Sequence, residues 1–374
     1  MEHKIIVVGD ISGTTKTASA LAQGFANQFP GAKVKAYPEM RKDSWAELTQ
    51  PGTYRDATLL VWSKSRDLGE RFNLPGMLAA ASRAGCPSVS FHLDRWWDLA
   101  REPEIKTDPF FRSDYVVTTD GGNDDRWRHA GVNHIWMPPA TTYTDTQWVP
   151  EPDDDAAGKV VFIGLWERYF HMNEYRWRGR MIKRLKRLLG PRLVTYPGKD
   201  ARRISGREMA SVIAAASVVI GDSCIVGGTD HYWSDRVPIT LGMGGLFIHP
   251  RVNGMEQFFE DGKHLITVPH GDIDAMYQAI ISADERPNTD EMREAGRQAV
   301  IEGHTFDVRA RQIVEMVYPP RTPPAPVEPL SLPSSNSEGS NSGAVSDTIS
   351  TSTSSTSSSD STSSSGSGGG GLLS

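Results

Sequence analysis

Two series of short apolar runs, each run followed by a stretch long enough for a helix, constrain the fold of this chain more than any other feature. The first series extends from residue 4 to about residue 137 and contains KIIVVG, AKVKAY, ATLLVW, PSVSFH, DYVVTT and NHIWM. The second starts with KVVFIG near residue 159 and continues with RLVTY, SVVIG and HLITV. Apolar runs of roughly four to eight residues between turn residues are typical of strands covered on both faces. The pattern therefore predicts an α/β protein made of two Rossmann-like domains.

The segments between and after the two series set the domain boundaries. Residues 138–158 begin with two prolines and contain an acidic run, which is typical of a linker. Residues 319–374 are rich first in proline and then in serine, threonine and glycine, with too few apolar side chains to offset the entropy of ordering. We therefore predict a first domain over 1–137, a second over 159–318, and a disordered tail.

The charge balance and the short apolar runs exclude several classes of protein. The formal net charge is −6, and Glu338, Asp347 and Asp360 of the tail account for half of it, so the remainder is mildly acidic. This argues against a general nucleic-acid coat protein, although a local basic patch is compatible with it. Cys86 and Cys224 stand far apart and are expected to be free thiols. Without a visible secretory signal or a membrane-length apolar stretch, we expect a soluble cytoplasmic protein, in the host cytoplasm if the chain is viral.

Residues 232–259, which read YWSDRVPITLGMGGLFIHPRVNGMEQFF, give the strongest indication of a ligand site. Ser234 is suited to cap a helix that ends at the following glycines, and LFIHP is then a short strand. A helix start with free amides and an arginine in its first turn favours an anion. We therefore predict that Arg236 and Ser234 contact a phosphate group. The alternative is that Arg236 only pairs with Asp230 or Asp235.

Further candidates follow the predicted strands of the second domain. Gly164 ends the first strand, and Gly227 and Gly228 allow a ligand to approach the backbone closely after SVVIG. Asp230 and His231 come next along the chain. Because ligands of doubly wound folds bind at the carboxyl ends of the strands, these five residues join the candidate site.

A basic segment also follows Gly164. Residues 172–189 have apolar side chains at helical spacing and arginine or lysine at many other positions. The simplest interpretation is a solvated basic face. The alternatives are phosphate contacts by Arg168 and Arg176, near the end of the strand, or binding of a polyanionic acceptor such as DNA.

The first loop, GDISGTTKT over residues 9–17, is similar to a P-loop only superficially. The P-loop spacing that starts at Gly9 requires a glycine where Thr14 stands, and the GxGxxG fingerprint is also absent. A glycine turn at the carboxyl edge of the sheet remains, with Gly13 and Thr14 as candidate ligand contacts. A tight turn without a ligand is the alternative.

Residues 91–122 are rich in aromatic and charged side chains. His92 and Asp94 follow a predicted strand, and either one is a candidate base for an acceptor hydroxyl. Trp96 and Trp97 would then offer stacking faces to a sugar or a base. The alternative is that the two tryptophans belong to the core.

Several of these segments resemble group-1-type glycosyltransferases of the GT-B fold. Residues 232–259 and HTFDVRA over 304–310 carry the resemblance in the second domain, and HLDRWW, TTDGG and HIWMPPA resemble bacteriophage-encoded members. The resemblance implies a nucleotide-diphosphate sugar as donor, neither a metal nor a separate cofactor, and contact of the first loop with acceptor or phosphate. It also implies that a last helix, over 305–317, crosses back to the first domain.

The chain departs from this family at one place. Many group-1 transferases carry Glu-x7-Glu here, and the two positions fall at His231 and Ile239 in this sequence. Ribose recognition must then come from another residue, for which Glu256 is the candidate. The identity of the donor is therefore open.

These observations predict a glycosyltransferase whose active site lies between the two domains. Arg236 and the Gly227–Gly228 loop would hold the diphosphate of the donor, and His92 or Asp94 would lie near the attacking hydroxyl. The predicted acceptor is a modified DNA base or a Ser/Thr-rich virion protein. The alternatives are a sugar-nucleotide epimerase of the same fold and a non-catalytic ligand-binding module, the latter suggested by the missing acidic pair.

Overall fold

A computed structural model describes residues 3–14, 16–64, 72–148, 151–166, 175–198, 203–224 and 231–319. Beyond its first residue, the predicted disordered tail lies outside these ranges. Cys86 and Cys224 are both free and buried. Within the described ranges, no helix combines the length and the apolar character needed to cross a bilayer.

The first series of apolar runs forms one parallel sheet. Its strands are β1 (Lys4–Gly9), β2 (Lys33–Pro38), β3 (Leu59–Ser63), β4 (Ser88–His92), β5 (Tyr115–Thr118) and β6 (His134–Trp136). They lie in the order β2-β1-β3-β4-β5-β6. Strand β3 is buried throughout, as expected for an apolar run covered on both faces. The six predicted strands are confirmed, and we call the part built on this sheet the N-terminal half.

Helices connect these strands. They are α1 (Thr17–Gln28), α2 (Lys42–Leu48), α3 (Leu74–Arg83), α4 (Glu104–Thr107) and α5 (Asp124–His129). Parallel pairing of neighbouring strands requires such crossovers, because each strand must start again at the same edge. All loops that follow the strands therefore collect at the carboxyl edge of the sheet.

The second series forms a second parallel sheet. Its strands are β7 (Val160–Ile163), β8 (Leu193–Tyr196), β9 (Val218–Ile220), β10 (Phe247–Pro250) and β11 (Ile266–Val268). Their order is β11-β10-β9-β7-β8. The associated helices are α7 (Arg176–Leu189), α8 (Gly206–Ala215), α9 (Arg236–Gly242), α10 (Ile273–Ala283) and α11 (Thr289–Gly303). We call this part the C-terminal half.

Helices cover both faces of the second sheet. Val160 and Phe162 of β7 belong to the apolar cluster that contains α7 and α10, whereas Val161 belongs to the cluster that contains α8, α9 and α11. Ile182 and Leu185 of α7 are fully buried and Leu189 partly, which confirms the predicted apolar face of the basic helix. The alternation along β7 follows from the two-residue period of a strand.

Two segments join the halves. Helix α6 (Tyr143–Thr146) lies on the outward crossing, and α12 (Phe306–Val317) returns. The two crossing segments are hydrogen-bonded to each other at Thr141, whose N–H donates to the carbonyl of His304 at 2.9 Å. The buried Arg309 donates from Nε to the carbonyl of Pro138 at 2.7 Å. Helix α12 packs on α1 and contributes to the core of the N-terminal half, so the predicted return of the last helix is confirmed.

Candidate functional site

The carboxyl edges of the two sheets border one cavity of about 540 Å³. Its walls come from the loop after β4 in the N-terminal half and from the segments after β7 and β9 in the C-terminal half. We call it the arginine cavity. Its described lining residues are Leu93, Asp94, Leu99, Ala100, Arg101, Leu165, Tyr175, Arg178, Cys224, Tyr232, Ser234, Asp235 and Arg236.

Arg236 is held against the wall of this cavity by the end of β7. Its Nε donates to the carbonyl of Ile163 at 2.7 Å, and its Nη1 donates to Oγ of Ser234 at 2.9 Å. The carboxylate of Asp235 is 3.9 Å from Nη1, so the alternative pair with Asp235 is a weak one, whereas the alternative pair with Asp230 lies outside the described residues. The side chain remains 32% exposed, and its Nη2 has no partner among the described residues. The guanidinium is therefore fixed in direction but still open to an anion.

Gly164 makes room for that guanidinium. A Cβ at this position would lie 3.0 Å from both Nε and Nη2 of Arg236. The backbone φ of +154° is also unfavourable for other residues. Gly164 thus allows the observed placement of Arg236, and its predicted contact with a ligand stays a prediction.

The start of α9 differs in detail from the prediction. Asp235 is the N-cap residue, and Ser234 precedes it. Oγ of Ser234 accepts the N–H of Arg236 at 3.3 Å, and the carbonyl of Ser234 accepts the N–H of Val237 at 3.1 Å. The prediction of free amides at this helix start is wrong for these two groups, because Ser234 already accepts both.

Arg178 is a second cationic wall residue, and sequence reasoning did not single it out. Its Nε donates to Oδ2 of Asp222 at 2.7 Å, with side-chain exposures of 6% and 2% for the two residues. Burial raises the pKa of Asp222, although the charge of Arg178 opposes this shift. The pair joins the start of α7 to the end of β9 directly beside the cavity.

Asp94 and Arg101 form the N-terminal side of the cavity. Nη1 of Arg101 donates to Oδ2 of Asp94 at 3.0 Å, and the Asp94 side chain is 47% exposed. Burial works to raise the pKa of Asp94, but the neighbouring His92 and Arg101 outweigh it, so that this pKa lies below its ordinary value. Asp94 is therefore an ionised hydrogen-bond acceptor at neutral pH.

His92 lies behind Asp94 rather than among the described lining residues. Its Nδ1 accepts the backbone N–H of Asp94 at 3.0 Å, so the proton of the neutral ring is on Nε2. Burial lowers the pKa of His92 to about 4. The neutral ring thus fixes the backbone at Asp94, and its other nitrogen is a donor.

Two tyrosines complete the wall with neutral hydroxyl groups. Burial raises the pKa of Tyr175, and it raises the pKa of Tyr232 well above its ordinary value. Both phenols keep their protons at neutral pH and remain hydrogen-bond donors. The cavity wall therefore combines arginine cations and neutral donors with the carboxylates of Asp94 and Asp235.

A buried chain of hydrogen bonds supports the loop that carries Arg236. Nδ1–H of His249 donates to the carbonyl of Pro250 at 2.7 Å, which leaves Nε2 to accept the hydroxyl of Ser223 at 2.9 Å. Oγ of Ser223 in turn accepts the N–H of Ser234 at 2.8 Å. Burial lowers the pKa of His249 to about 3, so the ring is neutral and the chain is intact at neutral pH.

His231 lies at the junction of the halves and not in the described cavity wall. Its carbonyl accepts Nε1–H of Trp136 at 2.7 Å and the N–H of Gly121 at 3.2 Å. Its φ of 52° is uncommon for a residue with a side chain. The ring lies edge-on to Trp136, so this residue connects the loop before α9 to the N-terminal half.

The other predicted site residues fall in three places. Glu256 and Arg176 are exposed and are not among the described wall residues of the arginine cavity, so their predicted roles stay predictions. Gly13 and Thr14 line a different cavity of about 610 Å³, bordered by α1, the crossing segment and the start of α12. We call this the crossover cavity. Outside the described residues lie Arg168, Gly227, Gly228 and Asp230.

The stacking role predicted for the two tryptophans is wrong. Trp96 and Trp97 are 1% and 8% exposed and belong to the core of the N-terminal half. The buried carboxylate of Asp120 accepts both of their backbone N–H groups, at 2.8 and 3.0 Å. This turn directs both rings inward, away from any ligand.

The described residues contain no group of three or more His, Cys, Asp or Glu side chains placed to hold a metal ion.

Helix α7 carries a basic surface. It exposes Arg180, Lys183, Arg184 and Arg187 around a shallow groove of about 740 Å³. The basic face predicted for this helix is therefore present on the surface.

Comparison with known proteins agrees with this architecture. A family model described as "Glycosyl transferase-like" matches residues 176–315, less than half of the chain. No curated protein matches the chain in sequence.

Among solved structures, HepE of Anabaena in complex with UDP and glucose is similar, with a TM-score of 0.56 and 10% identity over 84% of this chain and 99% of that chain. A UDP-forming α,α-trehalose-phosphate synthase of Burkholderia xenovorans has a TM-score of 0.54 and 10% identity, over 85% of this chain and 99% of that chain. A glycosyltransferase of Rickettsia africae has a TM-score of 0.52 and 9% identity, over 85% of this chain and 98% of that chain. At these identities the likeness establishes the architecture, and the chain therefore has the GT-B fold with two Rossmann-like sheets, as predicted.

Proposed function

We propose that this protein is a glycosyltransferase that moves a sugar from a nucleotide-diphosphate donor to a hydroxyl acceptor. The observation that carries the proposal is the convergence of Arg101, Arg178 and Arg236, from both halves, on one cavity at the carboxyl edges of the sheets. Guanidinium groups bind phosphate oxygens bidentately and stabilise the charge that develops as the leaving group departs. The match to a glycosyl transferase-like family model supports the same conclusion.

Arg236 is assigned the main contact with the diphosphate. Ile163 and Ser234 fix its Nε and Nη1, so its orientation is set before any ligand arrives. A preorganised cation stabilises a developing anion without the cost of reorganisation. In this proposal the arginines neutralise the leaving group in place of a metal, and no separate cofactor takes part. HepE of Anabaena, whose fold is similar, binds UDP and UDP-glucose, and this supports a nucleotide sugar as the donor.

Asp94 is assigned the contact with the acceptor hydroxyl. It is the half-exposed carboxylate on the N-terminal side of the cavity, opposite the arginines of the C-terminal half. His92 is a positioning residue in this scheme, because its Nδ1 holds the backbone N–H of Asp94 and its Nε2 carries the proton. The acceptor is a modified DNA base or a Ser/Thr-rich protein, and the exposed basic face of α7 favours DNA.

Donor binding is tested by thermal unfolding of the full chain with UDP-, GDP-, dTDP- and ADP-glucose. A donor at about a hundred times its Kd stabilises the native state by about 2.7 kcal/mol, which raises the unfolding midpoint by several degrees. Arg236→Ala should abolish most of the shift. Arg251→Ala, at an exposed arginine outside the cavity, should preserve it. The absence of a shift with every donor would overturn the proposal.

Transfer is tested by mass spectrometry of hydroxymethylated DNA and of Ser/Thr peptides incubated with the donor that binds. An added hexose mass, lost in Asp94→Asn, is the expected result. Conversion of the donor to its epimer without an acceptor would instead identify a sugar-nucleotide epimerase. Binding without turnover of any kind would identify a non-catalytic module.

A further inference from the structure

The crossover cavity is separate from the arginine cavity, since the two share no described lining residue. Helix α1, the segment around α6 and the first residues of α12 enclose it. A smaller groove of about 310 Å³ shares Ile11, Ser19 and Gln23 with it and continues along α1 toward β2. The combined surface is large enough for a ligand of more than one ring.

The charge of this cavity differs from that of the arginine cavity. Neither lysine nor arginine is found among its described lining residues, whereas Asp145 and Asp307 both line it. A phosphate, a diphosphate or a nucleic-acid backbone would meet no cation here and would be repelled by the carboxylates. The lining therefore excludes anionic ligands and favours a neutral one.

A fixed row of polar groups crosses the cavity wall. Nε2 of Gln23 donates to Oδ1 of Asn27 at 2.7 Å, and Nδ2 of Asn27 donates to Oδ2 of Asp307 at 3.0 Å. These bonds hold the two amides and the carboxylate in defined orientations. One oxygen of Gln23, one oxygen of Asp307 and one N–H of each amide remain to bind a ligand. Alternating donors and acceptors of this kind match adjacent hydroxyl groups.

Trp148 supplies the apolar part of the wall. It is half-buried, packs against the core of the C-terminal half, and lines the cavity together with Thr142 and Thr144. An indole beside fixed amides and a carboxylate presents a flat apolar surface next to directional hydrogen-bonding groups. A sugar ring has the same two properties, with C–H groups on its faces and hydroxyl groups around its edge.

We propose that the crossover cavity binds a neutral saccharide, at a site distinct from the one for the donor diphosphate. The row Gln23–Asn27–Asp307 recognises the hydroxyl groups, and Trp148 contacts a face of the ring. The site is built from the N-terminal half, the outward crossing segment and the returning helix, so an occupant contacts both segments that join the halves. This binding stands whether or not the arginine cavity takes a nucleotide sugar.

The test is saturation-transfer NMR on the full chain with glucose, galactose, mannose, N-acetylglucosamine, maltose and lactose. Inorganic pyrophosphate is added in excess to occupy the arginine cavity. We expect transfer to at least one saccharide, unchanged by pyrophosphate. Loss of a neutral hydrogen bond should weaken the affinity of Gln23→Ala and Asn27→Ala by about three- to tenfold.

Gln298→Ala is the matched control. Gln298 is also an exposed amide on a helix, bonded to Glu302 four residues on, but it lies outside both cavities. Gln23 and Asn27 are exposed, so these variants should fold, and Trp148→Phe tests the aromatic wall separately. The proposal is overturned if no saccharide binds, if pyrophosphate displaces the saccharide, or if Gln23→Ala and Gln298→Ala bind equally. Glucosamine, which is a cation at neutral pH, is added to the panel, and binding of glucosamine alone would overturn the proposal because the cavity would then select a cation.

Discussion

The arginine cavity and the crossover cavity each adjoin a loop at the carboxyl end of a strand, yet they are built from opposite chemistry. The first is lined by arginines, one of them in a buried ion pair, and is supported by a buried histidine. The second is lined by the exposed amides of Gln23 and Asn27, by hydroxyl groups, and by the carboxylates of the buried Asp145 and the half-buried Asp307, without a described cation. The strand edge therefore determines where a ligand binds, while the side chains that reach it determine which ligand binds.

The two cavities also differ in how their polar groups are held. Buried charges fix the framework of the arginine cavity, and an unpaired buried charge is costly. In the crossover cavity, exposed amides hold the row of polar groups in place, and water can replace a hydrogen-bond partner that is lost. Substitutions should consequently affect stability strongly at the first and weakly at the second.

The largest effect is expected for Asp222→Ala. It leaves Arg178 buried without its partner, which should lower the free energy of unfolding by about 3–5 kcal/mol. Urea unfolding of the full chain measures this. Asp125→Ala is the control, because it breaks an exposed pair with Arg128 and should cost less than about 1 kcal/mol. Equal losses in the two variants would contradict the comparison.

The next effect concerns pH. Burial lowers the pKa of His249 to about 3, so between that value and about 6.5 the unfolded chain binds a proton that the folded chain does not. The stabilisation is complete above about pH 6.5 and is lost as the pH falls, by about 1.4 kcal/mol per unit for this group. His92 acts in the same direction, because burial lowers its pKa to about 4.

Urea unfolding at about pH 7 and about pH 5 measures the dependence. His249→Gln should reduce the difference between the two pH values, whereas His129→Gln, at an exposed histidine, should leave it unchanged. A slope that is the same in both variants would show that His249 does not contribute.

A smaller effect is expected at the glycines. Gly164→Ala places a Cβ 3.0 Å from the Arg236 guanidinium, and the resulting displacement should weaken pyrophosphate binding about tenfold. Calorimetric titration with pyrophosphate measures it. Gly13→Ala is the matched change in the crossover cavity, where an added Cβ meets nothing within 4 Å. We expect no change in that variant, and similar losses in both would rule out the steric explanation.

The smallest effect is expected for Asn27→Ala in the absence of ligand. It removes two solvent-exposed hydrogen bonds, one to the amide of Gln23 and one to the carboxylate of Asp307, so the free energy of unfolding should fall by about 1 kcal/mol or less. Urea unfolding beside Gln298→Ala provides the comparison. A loss as large as that of Asp222→Ala would mean that this row is needed to hold α12 on α1, and the contrast between the cavities would fail.

The sequence predicts most of the fold because its signals are local. Uniform apolar runs such as Ile5–Val8 require strands covered on both faces, and the turn residues between them separate the elements. Arg236 is also predictable, since a glycine-bounded helix start next to a strand is a local pattern. Arg236 lies on the cavity wall, and its predicted contact with a phosphate group stays a prediction.

What sequence reasoning misses depends on partners distant in the chain. Arg178 is one of many basic residues in its segment, and only its contact with Asp222, 44 residues away, distinguishes it. Arg101 lies in an irregular segment where no periodicity indicates its direction. Trp96 is directed inward by Asp120, which no local pattern reveals. The crossover cavity combines α1, α6 and α12, and nothing in any one of them indicates the others.

The return of α12 has a consequence for the synthesis of this protein. Phe306, Ala310 and Ile313 cover part of the first core, and Gly24 of α1 lies against the backbone of Phe306. The ribosome makes the N-terminal half first but completes this cover only after it has made the C-terminal half. At about 5–20 residues per second, an apolar face stays open for roughly ten to thirty seconds. During that interval the nascent chain is most exposed to aggregation and most dependent on chaperones.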